Sequence, residues 1–219
     1  HIGNVVDPWS VLDKQGADAV RWYFYTGSAP WLPSRFSAEA VSEGQRKFMG
    51  TLWNTYAFFV LYADIDKYDP SKYDLKKCKL SLMDKWALSK LNTLVKTVDE
   101  GLAEYKTFET ARYIQDYVDE LSNWYVRRGR ERYWGKEMTE DKAAAYTTLY
   151  TVLVTLSKVI APYVPFMAES MYNNLVPAFF KDEPVSVHLC SFPVCDESFV
   201  DAELEKGMED VLEIVALGR

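Results

Sequence analysis

Apolar side chains recur every three or four residues along most of the chain, the spacing of one face of an α-helix. The clearest stripe consists of Leu88, Leu91, Val95, Val98, Leu102 and Tyr105. Ser81 and Asp84 precede it in an S-x-x-D arrangement that predicts a capped helix start. The same spacing predicts three further long helices, capped by Ser37, Thr107 and Thr139. Four amphipathic helices with short polar connections predict an all-α protein, built as an antiparallel helix bundle.

Two short helices are predicted ahead of the bundle. Asp7 is a good N-cap and Pro8 suits the first helical position, while Gly16 suits the residue just past the end. A second helix is expected over residues 18–25. We therefore assign residues 1–36 to a helical linker segment.

The pattern changes towards the end of the chain. We place the bundle in residues 37–178, with a shorter helix over residues 166–175 at its end. Beyond it, apolar and polar positions alternate as in a short strand, at Val185, Val187 and Leu189. A last helix is predicted over residues 201–217, and we expect it to be the start of a longer one. Residues 179–219 are thus predicted to form a small strand and helix tail.

Composition is typical of a folded globular protein. The 219 residues are 48% hydrophobic, enough for a well-buried core. The longest apolar run, residues 57–63, is too short to cross a bilayer, and the first residues do not resemble a secretory signal. Cys78, Cys190 and Cys195 are odd in number and lack a disulfide-framework spacing. We expect a cytoplasmic monomer that does not contact a membrane.

Few residues are arranged for catalysis or metal binding. His188, Cys190 and Cys195 lie close together in sequence, but they include no C-x-x-C pair and have no fourth soft ligand nearby. The glycine-rich phosphate and dinucleotide motifs and the nucleophile elbow do not occur. Because His1 and His188 are the only histidines, no histidine-based triad is expected. We predict no metal site, no catalytic residue and no cofactor in this chain.

The basic segment, residues 121–136, differs most from the rest of the chain. It contains five basic side chains, one acidic side chain and four aromatic ones, a net charge of +4 in a chain of formal charge −7. Guanidinium groups bind phosphates, and aromatic rings stack on unpaired bases, so this composition predicts contact with RNA. The sequence leaves a second interpretation equally open, a solvated helix end whose arginines interact with the helix dipole.

An ideal α-helix divides the basic segment between two faces. At about 100° per residue, Arg128 and Arg132 continue the apolar stripe of this helix, so we expect both to form ion pairs with a neighbouring helix. The opposite, open face carries the candidate RNA-binding residues Asn123, Arg127, Arg130 and Trp134, to which we add Lys136. Trp134 is the candidate stacking surface, and the alternative is a hydrophobic lid over the helix end.

Several stretches resemble class I aminoacyl-tRNA synthetases of the isoleucyl, valyl, leucyl and methionyl group. The first is H-I-G-N-V-V-D-P at the start, followed by G-A-D-A-V-R-W-Y, which resembles the chain just after the K-M-S-K-S signature loop. The second, L-S-N-W-Y-V-R-R-G-R-E-R in the basic segment, resembles the anticodon-binding domain of the isoleucyl members. D-K-W-A-L-S-K-L-N and I-A-P-Y-V-P-F-M-A-E are also similar to this group. The resemblance covers essentially the full chain.

The resemblance implies a fragment that binds the anticodon end of tRNA(Ile). His1 takes the last position of the signature loop, where a serine is usual, and both signature lysines lie outside this sequence. The complete enzyme would attach isoleucine to tRNA(Ile) using ATP and Mg, whereas this fragment is expected to be non-catalytic. Its expected partners are tRNA(Ile) and the remainder of the synthetase chain. The alternatives are a helical protein-interaction scaffold, or the same domain of a valyl or leucyl enzyme.

Overall fold

The computed structural model describes residues 6–29, 31–33 and 36–218, and it confirms the all-α prediction. Within these ranges no residue lies in a β-strand. The α-helices are α1 (Pro8–Gln15), α2 (Ala17–Thr26), α3 (Ala38–Gly44), α4 (Thr51–Asp66), α5 (Leu82–Ala103), α6 (Thr107–Glu120), α7 (Arg127–Gly129), α8 (Glu140–Ile160), α9 (Pro165–Leu175) and α10 (Ala202–Leu217). Two π-helical turns join α3 to α4 and α6 to α7, at Gln45–Gly50 and Leu121–Val126.

The first helix begins and ends where its capping residues predict, and the second, predicted over residues 18–25, covers one residue more at each end. The Asp7 carboxylate accepts a 3.0 Å hydrogen bond from a backbone N–H of α1, and Pro8 occupies the first helical position. Gly16 follows α1 with φ of 82°, a conformation that a side chain would strain. Helix α2 packs against the bundle, since Trp22 is buried and stacks on Phe48 with ring centroids 3.6 Å apart. The division of the chain at residue 36 stays a prediction.

Two charged residues of α2 bind backbone groups at the start of α9 and in the turn before it. The buried Asp18 carboxylate accepts backbone N–H groups of Phe166 at 3.3 Å and Met167 at 2.7 Å. Burial raises the pKa of Asp18 above its ordinary value, although these two hydrogen bonds act in the opposite direction. Arg21 donates to the carbonyl of Pro162 at 2.7 Å. Helix α2 therefore satisfies backbone groups that the turn between α8 and α9 leaves without helical partners.

Helix α8 is the central helix of the bundle. It packs against α4, α5 and α9, and most of its side chains are buried. Its 21 residues are long and apolar enough to cross a membrane, with a mean hydropathy of 1.3 in the most apolar window. However, 72% of that window is buried among the other helices, as expected of a core helix.

Most of the predicted caps are confirmed. Ser37 accepts a hydrogen bond from the backbone N–H of Ala40 at 3.1 Å, and Thr139 accepts one from Lys142 at 3.2 Å. Ser81 and Asp84 form the complete reciprocal capping box at the start of α5. These caps involve residues only three positions apart, so they form wherever the local sequence permits them.

The connection between α5 and α6 differs from the prediction. Tyr105 was expected to extend the apolar stripe of α5, but α5 ends at Ala103 and Tyr105 is 88% exposed with φ of 60°. Thr107 was expected to cap α6, but it is already the first helical residue, and Lys106 occupies the cap position without a side-chain bond. Helix α5 thus ends two residues before Tyr105, and α6 begins one residue earlier than a cap at Thr107 would place it.

The predicted strand near Val187 is also wrong. Val187–Leu189 forms a single 3₁₀ turn, and the Ser186 hydroxyl accepts the backbone N–H of His188. Val187 is buried, whereas Val185 and Leu189 are exposed. Apolar alternation alone cannot form a strand here, because the described part of the chain offers no neighbouring strand to pair with.

The predicted last helix is confirmed as α10, which begins after its cap, Asp201. The tail that leads to it lies along α5. Asn92 accepts the backbone N–H of Asp196 at 2.8 Å, and the Ser89 hydroxyl accepts that of Asp201 at 2.8 Å. The Glu205 carboxylate in turn accepts the Ser89 hydroxyl. Polar side chains of α5 thus fix the path of the tail.

A buried carboxylate joins the start of α5 to the basic segment. The Asp84 side chain is fully buried and accepts the Tyr125 hydroxyl at 2.6 Å and two guanidinium nitrogens of Arg132 at 2.8 Å. Arg132 also binds the Asp141 carboxylate at the start of α8. Burial alone would raise the pKa of Asp84, but the bonds from Arg132 and Tyr125 outweigh it and hold the pKa below its ordinary 3.8. This network fixes the chain immediately before Trp134.

We predict that Arg132→Ala lowers the free energy of unfolding by about 3–5 kcal/mol, because it leaves the Asp84 carboxylate buried without a countercharge. The matched control is Arg128→Ala, since Arg128 is exposed and should cost no more than about 0.5 kcal/mol. Urea unfolding followed by circular dichroism measures both. Equal losses in the two variants would contradict the proposed role of the buried pair.

A second prediction concerns pH. The folded-state pKa of Asp84 is lowered, so the stability due to its ionised form is fully present above the unfolded pKa near 3.8 and is lost as the pH falls through the folded pKa. Asp84→Asn should therefore have a much lower melting temperature than the wild type near neutral pH. The difference should shrink below pH 3.8. A difference that is independent of pH would show that ionisation of Asp84 contributes nothing.

Candidate nucleic-acid interface

The basic segment is not one regular helix. Helix α6 passes through the π turn Leu121–Val126 into α7, and a 3₁₀ turn at Arg130–Tyr133 follows. A π turn closes each hydrogen bond over one residue more than an α-helix does, so side chains beyond it rotate by about 100° relative to an uninterrupted helix. The burial of Val126, which an uninterrupted helix would turn away from the core, agrees with this rotation.

The rotation changes the assignment of the arginines. Arg132 forms the predicted ion pair with a neighbouring helix, and this expectation is confirmed. The expectation for Arg128 is wrong, because its side chain is exposed and its guanidinium lies over the ring of Trp124, 6.0 Å from the centroid. Because the π turn contains one extra residue, Arg128 takes the place on the open face that Arg127 would occupy in an uninterrupted helix.

The candidate RNA-binding residues all lie on the surface. The exposed set comprises Asn123, Arg127, Arg130, Trp134 and Lys136. The amide of Asn123 donates to the backbone carbonyl of Asp119 at 3.1 Å, which leaves its side-chain oxygen available. Trp134 is 59% exposed, which counts against a buried hydrophobic lid. Arg128 joins this surface, although it was not among the predicted residues.

The exposed cations of the basic segment are free of carboxylates. Within residues 6–29, 31–33 and 36–218, no acidic side chain forms an ion pair with Arg127, Arg128, Arg130 or Lys136. Elsewhere on the surface many lysines do pair with acids, as Lys47 does with Glu43 at 2.7 Å. Unpaired guanidinium groups can bind phosphate without first giving up a carboxylate partner.

Buried residues support this surface from below. The Tyr133 hydroxyl donates to the carbonyl of Ala145 at 3.1 Å, and its ring meets Phe58 and Tyr146 edge to face. Lys142, at the start of α8, is 2% exposed and donates to the carbonyl of Gly135. Lys142 was not among the predicted residues, although its position four residues before the buried Tyr146 places it on the apolar face of α8.

The other positions considered in the sequence do not form a binding site among the described residues. His1 lies outside the described residues. Cys78, Cys190 and Cys195 are free thiols, and no cluster of three or more metal-binding side chains occurs in the part of the chain that is described. An open groove of about 770 Å³ lies between the start of α2, the first π turn and the start of α9. It contains none of the candidate RNA-binding residues.

Comparison with known proteins shows the family. The family model described as the anticodon-binding domain of tRNA ligase matches residues 84–219, more than half of the chain. The isoleucine–tRNA ligases of Clostridium novyi and Clostridium acetobutylicum are 59% and 58% identical over 99% and 100% of this chain. That of Bacteroides fragilis is 45% identical over 99% of it. The chain spans about a fifth of the length of these relatives.

A solved structure has the same fold at low sequence identity. It is the LeuRS chain in the ternary complex of Agrobacterium radiobacter K84 agnB2 LeuRS with tRNA and LeuAMS, with a TM-score of 0.64 and 19% identity. The match covers 92% of this chain and 22% of that one. The exposed basic surface described above therefore lies on a helical fold found in tRNA ligases, within the residues that the family model matches. The chain belongs to the family of anticodon-binding domains of tRNA ligases.

Proposed function

We propose that this chain binds the anticodon end of tRNA(Ile) as part of a cytoplasmic isoleucine–tRNA ligase. The observation that carries the proposal is the group of four exposed cations in the same short segment as the exposed Trp134, none of which forms an ion pair within the described residues. The identity of 45–59% to isoleucine–tRNA ligases supports isoleucine over valine or leucine. The whole protein would attach isoleucine to tRNA(Ile) using ATP and Mg, with the remainder of the synthetase chain as a partner of this domain. The domain alone is non-catalytic and monomeric.

The exposed side chains divide by the chemistry they can offer to RNA. Arg127, Arg128 and Arg130 present planar guanidinium groups that match phosphate oxygens in pairs, and such contacts fix the position of the nucleic acid without reading its sequence. Trp134 offers a ring face to an unstacked base. Asn123 and Lys136 can hydrogen-bond base edges or sugar hydroxyls nearby. Phosphate contacts provide affinity, and contacts to splayed bases provide the choice of anticodon.

A protein-interaction scaffold is the second candidate function. Helix α10 exposes the apolar residues Val211, Ile214 and Leu217, which a protein partner could cover. On this alternative, the basic segment would contact an acidic protein surface, and tRNA would bind only non-specifically. Binding of a tRNA(Ile) transcript in competition with a tRNA of another specificity separates the two functions, because only the proposed function predicts a preference.

We predict that Arg127→Ala, Arg128→Ala and Arg130→Ala each weaken binding of a tRNA(Ile) transcript. Each lost phosphate contact should also reduce the slope of log affinity against log salt by about 0.7–0.9. The matched control is Arg112→Ala, which removes an exposed arginine from the first half of α6. Titrations at several salt concentrations, with a thermal melt of each variant, provide the measurement. If Arg112→Ala weakens binding as much as the other three, the binding surface is wrongly placed.

We further predict that Trp134→Ala weakens tRNA binding by roughly 1–3 kcal/mol, the range found when a stacking aromatic is removed. Trp134→Phe is the control, because it keeps a ring face and should retain most of the affinity. Neither variant should change the melting temperature appreciably, since the side chain is 59% exposed. Wild-type affinity in Trp134→Ala would show that no base stacks on this ring.

A further inference from the structure

Buried side chains fix the backbone on both sides of the exposed Trp134. Before it, Arg132 is bound to two carboxylates, and Tyr133 is buried with its hydroxyl on the carbonyl of Ala145. After it, the carbonyl of Gly135 accepts a hydrogen bond from the ammonium of Lys142. The backbone N–H of Trp134 donates to the carbonyl of Glu131 at 3.2 Å. An exposed tryptophan at a helix end thus has an immobilised neighbour on each side.

Lys142 is an unusual residue for this position. Its side chain is 2% exposed. The ammonium lies 2.6 Å from the Asp66 carboxylate at the end of α4 and 5.9 Å from the ring centroid of Tyr146. The Tyr146 hydroxyl donates to the same carboxylate. A buried lysine must release its hydration water and lose side-chain freedom, and an apolar pair of similar size would often be as stable. A requirement for stability alone therefore does not explain Lys142.

An apolar residue in place of Lys142 could not donate a hydrogen bond to the carbonyl of Gly135. That carbonyl lies in the bend between the 3₁₀ turn and α8, where no helical N–H is available to it. Among the described residues, the Lys142 ammonium is the hydrogen-bond donor to this carbonyl. Without this donor, no hydrogen bond among the described residues would hold the backbone between the Trp134 N–H, which donates to Glu131, and the Glu137 carbonyl, which accepts from Thr139.

We propose that Lys142 is a positioning residue, which fixes the backbone that carries Trp134 by anchoring the carbonyl of Gly135, and so narrows the range of ring orientations that are presented to an unpaired base. The expected effect on tRNA affinity rests on the proposed function, whereas the expected effect on Trp134 in the free protein does not. A ring that is already oriented loses less conformational freedom on binding, so the anchor strengthens binding without touching RNA.

Two variants of one ion pair separate positioning from stability. Lys142→Met and Asp66→Asn both remove the ion pair between Lys142 and Asp66, but only Lys142→Met removes the donor to Gly135. The orientation of Trp134 can be followed by ¹⁹F NMR of protein labelled with 5-fluorotryptophan. The resonance of Trp134 is identified by its absence from Trp134→Phe, and the other six tryptophans serve as internal references.

In Lys142→Met we expect the Trp134 resonance to shift and broaden, and the affinity for a tRNA(Ile) transcript to fall several-fold. In Asp66→Asn we expect a wild-type resonance and wild-type affinity, even if its melting temperature is as low as that of Lys142→Met. If Lys142→Met does not fold, the double variant Asp66→Asn with Lys142→Met replaces it, because the pair is then removed without leaving a buried charge. The expected signature is the same.

The proposal is overturned if the Trp134 resonance and the tRNA affinity of Lys142→Met, or of the double variant, match those of Asp66→Asn. A changed resonance with unchanged affinity would also overturn it, because the orientation would then not matter for binding. Failure of the proposed function is recognised separately. In that case the variants of Arg127, Arg128 and Arg130 bind tRNA like the wild type, whatever the resonance of Trp134 shows.

Discussion

The buried carboxylate of Asp84 is the constraint on which the rest of the structure depends. A charge that is removed from water must be paired and hydrogen-bonded, or it destabilises the fold by several kcal/mol. Asp84 meets this condition only if the capping serine of α5, the hydroxyl of Tyr125 and the guanidinium of Arg132 converge on it. Because these groups come from separate parts of the chain, the pairing fixes the π turn and the 3₁₀ turn against the start of α5.

This constraint determines how the basic segment is used. Its high local charge comes from side chains with different roles. Arg132 is neutralised inside the bundle, whereas Arg127, Arg128, Arg130 and Lys136 are exposed and have no carboxylate partner in the described part of the chain. A chain with a formal charge of −7 can therefore present a cationic surface to a polyanion. This surface exists because the fold buries Arg132 and leaves the other arginines of the segment exposed. The net charge of the chain does not indicate it.

The sequence was informative where the interactions are local. The caps at Ser37 and Thr139 and the box at Asp84 follow from residues three positions apart, and they place the starts of their helices correctly. The prediction for Arg128 was wrong because it assumed an uninterrupted α-helix, whereas the chain forms a π turn at Leu121–Val126, a rare conformation that the apolar spacing does not reveal. The strand at residues 185–189 was wrong for a similar reason, since a strand requires a partner that the alternating pattern cannot reveal.

Arg132 and Lys142 illustrate why the interface itself is the part hardest to predict. Both are largely buried cations at an otherwise exposed end of the bundle, and each pairs with a carboxylate from a distant part of the sequence. Exposed ion pairs such as Lys67 with Asp64 contribute little to stability, and a surface built from them would be mobile. Desolvated pairs are costly to form, but they have a single geometry once formed. A surface that offers an aromatic ring to a base in a defined orientation therefore benefits from paired charges buried beneath it. Sequence composition shows that these residues are basic, but it does not show that they are buried.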